Sequence, residues 1–114
     1  MDAIEQLLRL VRDEGFTGTV LPNSLVYLRW WSAGTLDAVT VRGEESTVAV
    51  RAYGVDLAHP EDTSGVRLDW KQHGPVVPVV TELLSLAQPA GVRVLVRVAD
   101  QHAVSRSAAA LWTP

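Results

Sequence analysis

Alternating apolar and polar positions dominate residues 25–53, where two turn signals separate three stretches with strand character. Valine, threonine and tyrosine are enriched in strands, whereas the segments 32–35 and 43–46 contain glycine, serine and glutamate, which favour turns. The pattern therefore predicts two consecutive hairpins. Their strands are expected at 25–31, 36–42 and 47–53.

The two turns also predict how the three strands align. The first turn would place Leu28 opposite Val39, and the second would place Val41 opposite Val48. Because side chains alternate between the faces of a strand, one face of the sheet would be entirely aliphatic. Its predicted members are Val26, Leu28, Val39, Val41, Val48 and Val50.

The opposite face is predicted to be aromatic and rich in arginine. Its expected cross-strand rows are Tyr27–Thr40–Ala49, Arg29–Ala38–Arg51 and Trp31–Leu36–Tyr53. Aromatic and arginine side chains are enriched at the energetic centres of protein interfaces. The candidate partner-binding residues are therefore Tyr27, Arg29, Trp31, Arg51 and Tyr53. The alternative is that a loop or the C-terminal tail covers this face as a second, minor core.

Outside the hairpins, the pattern predicts further elements in the order α-β-β-β-β-α-β. Asp2 and Glu5 have the spacing of a helix N-cap, and Gly15 is a helix stop. The additional elements are a helix at 3–14, at most a short strand at 17–21, a strand at 66–70, a helix at 77–87 and a strand at 92–99. The tail after residue 99 has a weak pattern, with a short helix or edge strand at 108–112.

This order predicts the α+β class, an antiparallel sheet of four to five strands with two helices on one face. Residues 1–114 are expected to form a single domain. The first helix would bury its apolar stripe, formed by Ile4, Leu7, Leu8 and Val11, in the core. Docking of a partner on that stripe is the less favoured alternative.

Composition excludes several functions and narrows others. The sequence contains no cysteine, which rules out disulfides, zinc–thiolate sites and cysteine nucleophiles, and which fits a reducing, cytoplasmic location. A formal net charge of −3 argues against nucleic-acid binding, which needs a basic surface. No apolar run is long enough for a membrane span, and the charged N-terminal segment does not resemble a signal peptide.

Candidate catalytic residues are few. The loop 54–65 carries His59 beside acidic residues, and His73 follows the predicted fourth strand. His102 and Ser105 follow an aspartate near the C-terminus, but catalytic triads are defined by geometry and not by closeness in sequence. No phosphate-binding glycine loop or dinucleotide-binding motif occurs, and no cofactor or metal is expected.

Two hypotheses about function follow. The favoured one is a non-catalytic interaction or regulatory module that binds a protein partner through the aromatic and arginine face. The alternative is a small-molecule-binding protein, or a small enzyme, that uses the 54–65 loop. A homodimer formed by pairing of the outer sheet faces is a third, weaker hypothesis.

Overall fold

The structure is a computed structural model that describes residues 2–56, 58–59, 62, 64–89, 94 and 98–111. Its centre is a five-stranded antiparallel sheet in which every strand pairs with its neighbours in sequence, in the order β1-β2-β3-β4-β5. The strands are β1 (Thr17–Leu21), β2 (Ser24–Trp30), β3 (Leu36–Gly43), β4 (Ser46–Tyr53) and β5 (Arg67–Gly74).

Three helices cover the two faces of the sheet. They are α1 (Ala3–Arg12), α2 (Val76–Ser85) and α3 (Val98–Leu111). Helix α2 packs on β4 and β5 and contacts α1, whereas α3 packs on β1, β2 and β3. We call the side covered by α1 and α2 the α1/α2 face and the opposite side the α3 face. Each face has its own hydrophobic cluster.

The predicted fold class is confirmed. The strands and the first two helices lie within a few residues of their predicted bounds, and Asp2 caps α1 by accepting a hydrogen bond from the Glu5 amide at 2.8 Å. The described residues form three helices where two on one face were predicted, and these helices lie on both faces of the sheet. Among the described residues, no helix is long and apolar enough to cross a membrane.

The predicted strand at 92–99 is wrong where the structure describes it. Val98 and Ala99 begin α3, and Val94 is outside any strand, although its amide donates to the Trp30 carbonyl at 3.1 Å. The other positions, 92–93 and 95–97, lie outside the described residues. The tail after residue 99, for which the sequence predicts at most a short helix or edge strand at 108–112, is helical as far as Leu111. The buried positions of α3 are Gln101, Val104, Ser105 and Ala108. They follow helical spacing, but most are small or polar, so the sequence shows only a weak apolar stripe.

The predicted alignment of β3 is wrong by one residue on both sides. Leu28 pairs with Ala38 instead of Val39, and Val41 pairs with Thr47 instead of Val48. A one-residue slip moves every side chain of a strand to the other face. Val39 and Val41 therefore lie on the α1/α2 face, opposite to Val26, Leu28, Val48 and Val50.

Two local irregularities cause the slip. The β3–β4 turn lies where predicted, with Gly43 paired to Ser46, but the register shifts between Val41 and Gly43. Such a bulge places one extra residue, here Arg42, on one strand. The β2–β3 connection is a 3₁₀ turn, Ser32–Gly34, and not a two-residue hairpin turn.

Gly34 is required at that turn. Its φ angle is +77°, a left-handed conformation that glycine adopts without steric cost, and a Cβ atom there would approach the Val55 carbonyl oxygen to 3.0 Å. The Val55 amide donates to the Gly34 carbonyl at 3.2 Å. The turn is therefore held against the chain that follows β4.

Candidate functional site

The five predicted partner-binding residues do not form one exposed surface. Arg29, Trp31 and Arg51 are buried, Tyr27 is partly buried, and Tyr53 is 42% exposed. The α1/α2 face that carries Arg29 and Arg51 is covered by helices. The alternative of a second core therefore describes this face, although helices and not the C-terminal tail cover it.

A row of three charged residues crosses the α1/α2 face. Because β3 is shifted, Asp37 lies between Arg29 and Arg51, where the sequence predicted Ala38. Asp37 is completely buried. Its Oδ2 accepts from Nε and Nη2 of Arg29 at 3.1 and 2.9 Å, and its Oδ1 accepts from Nε of Arg51 at 2.7 Å. The Trp31 indole also donates to Oδ2, at 3.2 Å.

The covering elements complete this charge row. The Arg29 guanidinium lies 4.6 Å from the Phe16 ring centre and 5.2 Å from that of Trp31. Its Nη1 lies 3.5 Å from a Glu14 carboxylate oxygen, and Arg51 donates to the Ala87 carbonyl after α2. Among the described residues, no buried side-chain nitrogen or oxygen lacks a hydrogen-bond partner. The row therefore ties the sheet to both helical segments and is not an open binding site.

Sequence reasoning missed Asp37 as the partner of the two arginines. The available signal was the residue type, because aspartate is depleted in strands and here lies inside a run of apolar strand formers. A buried carboxylate needs a counter-charge, so an aspartate within a buried strand indicates that a basic side chain lies beside it.

Tyr27 lies farther along the same face. Burial raises the pKa of its hydroxyl above the ordinary value of 10.0, because the charged phenolate is poorly solvated there. A Cβ atom at Gly18 of the neighbouring strand would approach the Tyr27 ring to 3.2 Å. Glycine at that position therefore allows the ring to lie across β1.

The histidines of the small-molecule hypothesis belong to different parts of the fold. The connection that carries His59 leaves the sheet at the Tyr53–Arg67 pair, whereas His73 pairs with Val48 near the other end of β5. Six residues of strand, roughly 20 Å, separate Arg67 from His73. Within the described residues, no group of three histidine, aspartate or glutamate side chains could hold a metal ion.

The serine and histidine near the C-terminus both lie on α3. Ser105 is buried, and its hydroxyl donates to the Gln101 carbonyl one turn earlier at 2.7 Å, whereas His102 is exposed. A hydroxyl whose hydrogen is held by the helix backbone is not positioned as a nucleophile for His102.

Helix α1 presents apolar side chains to solvent, contrary to the prediction that this stripe is core. Ile4, Leu8 and Val11 are 72%, 58% and 49% exposed, and only Leu7 of the predicted stripe is partly buried. Their spacing of four and three residues places them on one side of the helix. We call Ile4, Leu8 and Val11 the α1 stripe.

The side of α1 that faces the protein is less apolar than the α1 stripe. It buries Ala3, Gln6 and Leu10, and the Gln6 side-chain amide donates to the Thr81 hydroxyl of α2 at 3.4 Å. Helical periodicity identifies an apolar stripe but not what covers it. Neighbouring elements of the sheet and α2 decided which side of α1 is buried.

Two surface depressions border these regions. One of about 400 Å³ lies beside the N-terminal half of α1 and is lined by Ile4 and Leu7, together with Leu25 and Val41 of the sheet. The other, of about 560 Å³, lies between the end of the sheet and residues 86–89, with Arg51, Tyr53 and Trp70 among its lining side chains.

Comparison of the chain with protein-family models, with curated proteins and with solved structures found no match.

Proposed function

We propose that this protein is a non-catalytic interaction module that binds an amphipathic helix of a partner polypeptide along the α1 stripe. The observation that carries the proposal is the exposure of three large aliphatic side chains on one side of a capped helix. Contiguous apolar surface bordered by charged residues is typical of interaction sites.

The spacing of the α1 stripe specifies the kind of partner. Alternating steps of four and three residues form the apolar seam by which two helices pack side by side. Glu5 and Arg12 border this seam, so a partner helix with an apolar ridge and charges of both signs would complement it. The aromatic and arginine face expected from the sequence is not the surface we propose, because Arg29, Trp31 and Arg51 are buried.

A pull-down from a lysate of the source organism, read by mass spectrometry, tests this proposal. Leu8→Glu should remove specific partners, because a charge at the centre of the seam would be desolvated on binding. Leu68→Glu is the matched control, since Leu68 is an exposed leucine on β5 that pairs with Ala52, on the face of the sheet opposite to α1. Partners retained by wild type and Leu68→Glu but lost by Leu8→Glu support the proposal. Equal loss in both variants contradicts it, as does a lysate from which no polypeptide, a second copy of this chain included, is specifically retained.

A second candidate function is binding of a small, planar, aromatic molecule in the depression beside residues 86–89. Its volume of about 560 Å³ lies within the ordinary range for ligand sites, and its lining combines the aromatic side chains Tyr53 and Trp70 with polar groups that include Asp69. This site is separate from the 54–65 loop of the small-molecule hypothesis drawn from the sequence.

Thermal unfolding with a panel of neutral and cationic aromatic compounds tests this second candidate. A ligand that binds the native state must raise the midpoint of unfolding, and Tyr53→Ala should remove that rise. Leu68→Ala, on the neighbouring strand, is the control and should keep the rise. An unchanged midpoint across the panel contradicts the hypothesis.

A further inference from the structure

We infer that the partner helix is α1 of a second copy of this chain, and that the two helices pack antiparallel. The inference depends on the proposed function, since it names the occupant of the α1 stripe. It differs from the homodimer expected from the sequence, which would have paired the outer sheet faces.

The charges beside the α1 stripe select the antiparallel arrangement. Glu5 and Arg12 are seven residues apart, which is about two turns, so they lie on the same flank of the stripe. Together with Leu8 and Arg9 they line one groove on the helix surface. In an antiparallel pair with its two-fold axis near Leu8, Glu5 of each copy lies beside Arg12 of the other. Two attractive pairs therefore form across the seam.

A parallel pair would not use these charges. The flank that carries Glu5 and Arg12 would then face the opposite flank of the second helix, where Leu7 lies. Arg9, which lies between the two charged residues, and Arg12 both pair with Asp13 of their own chain, with Nε at 3.8 Å and 3.3 Å from its carboxylate oxygens. Both pairs are exposed and therefore weak, so Arg12 can also contact Glu5 of the second copy. The apolar seam is also nearly symmetric about Leu8, because Ile4 and Val11 would lie opposite each other.

The same geometry makes the dimer reversible. Helix α1 has ten residues and is therefore about 15 Å long, so its seam is at the small end of specific protein interfaces. We expect a dissociation constant in the micromolar to millimolar range, and association that strengthens as the salt concentration falls.

Sedimentation equilibrium over increasing concentrations of the full chain tests the inference. The wild type should form a dimer, and Leu8→Asp should weaken it at least about tenfold. Glu5→Arg and Arg12→Glu should each weaken it as well, because each places like charges across the seam. An equimolar mixture of these two variants should associate as well as the wild type, since both cross-pairs are again attractive.

Three controls keep the outcomes distinct. Leu68→Asp, remote from the stripe, should dimerise like the wild type, and circular dichroism confirms that each variant keeps its helices. If Glu5→Arg melts α1, the double variant Glu5→Gln/Arg12→Gln replaces it and should weaken association and remove its salt dependence.

A wild type that stays monomeric up to about 1 mM, the upper end of the expected dissociation constants, overturns the inference. So does a mixture of Glu5→Arg and Arg12→Glu that associates no better than either variant alone. A monomeric chain that still retains a foreign protein in a Leu8-dependent way would refute self-association but leave the proposed function standing. A monomer with no such partner would refute both.

Discussion

The same strands form both faces of the sheet, but different interactions stabilise the two buried faces. On the α3 face, aliphatic side chains pack against Val104 and Ala108, and the Trp30 indole hydrogen-bonds to the neutral side chain of Gln101. On the α1/α2 face, a comparable aliphatic cluster ends at the charge row of Arg29, Asp37 and Arg51.

The difference concerns how strongly each face specifies the alignment of β3. Aliphatic packing is non-directional, so residues of similar size can replace one another across a face. The charge row is directional, because only one alignment places Asp37 between both guanidiniums. A slip of one residue would leave two buried arginines without their carboxylate, which is a large energetic penalty.

Removal of the central carboxylate should have the largest effect. Asp37→Ala leaves Arg29 and Arg51 buried without a counter-charge, and we expect the free energy of unfolding to fall by about 3–5 kcal/mol. Urea unfolding followed by tryptophan fluorescence measures this change.

The comparison is sharper with the triple variant Arg29→Met/Asp37→Leu/Arg51→Met. Replacement of a whole buried ion cluster by apolar residues is often neutral or stabilising, so this variant should be far more stable than Asp37→Ala. A loss below about 1 kcal/mol for Asp37→Ala would show that the row contributes little to folding.

Loss of the neutral polar contact on the α3 face should have a smaller effect. Gln101 accepts from the Trp30 indole at 3.0 Å, and its amide donates to the Thr17 carbonyl at 3.0 Å. Gln101→Leu leaves both groups without that partner, so the free energy of unfolding should fall by about 1–3 kcal/mol. His102→Leu, an exposed neighbour on α3, should change it by less than about 0.5 kcal/mol. Equal effects in the two variants would contradict a structural role for Gln101.

Loss of the Glu14 charge, at the outer end of the charge row, should lower the free energy of unfolding by less again. Glu14 is about one-third exposed and its carboxylate lies 3.5 Å from Arg29, so Glu14→Gln should cost at most about 1 kcal/mol of unfolding free energy. The cost should shrink in 1 M salt, where the Debye length is about 3 Å. Glu82→Gln, on the exposed side of α2, is the matched control. A cost that does not change with salt would indicate that the Glu14 charge is not its source.

Tyr27 provides the smallest effect, which depends on pH. Because the pKa of Tyr27 is raised in the folded state, the native protein holds this proton more tightly than the unfolded chain. The resulting stabilisation is complete below pH 10 and is lost as pH rises through the folded-state pKa. Chemical unfolding between about pH 9 and about pH 11 should show a decline that is smaller in Tyr27→Phe. The decline should persist in Tyr53→Phe, and an unchanged decline in Tyr27→Phe would contradict the assignment.

Most of the strands could be predicted from local pattern, but the alignment of one of them could not. Alternation and turn residues located β2, β3 and β4, whereas the bulge at Arg42 has no distinctive residue type. That extra residue placed Asp37 opposite Arg51, and the 3₁₀ turn between β2 and β3 placed it opposite Arg29. Together the two irregularities determined which face is charged. Turn position therefore follows from sequence more readily than pairing does, since pairing is settled by contacts distant in the chain.

The candidate site was hidden from the sequence for a related reason. The α1 stripe was visible as a pattern, yet exposure depends on what packs on the other side of the helix. Gln6 and Leu10 together with Ala3 form the buried side, although Ile4 and Leu8 are the larger apolar residues at that end of α1. The α1 stripe, which we propose as the binding surface, is therefore a place where the hydrophobic pattern and the observed burial disagree.

The strand order has a consequence for how the chain folds. Every pairing in the sheet joins strands that are consecutive in sequence, so contacts can form progressively from one hairpin to the next, with little loop-closure entropy at each step. Pairing of β4 with β5 has a larger loop-closure cost, because residues 54–66 separate these two strands. We therefore expect β2–β4 to form the earliest ordered unit, and docking of β5 with α2 to limit the folding rate.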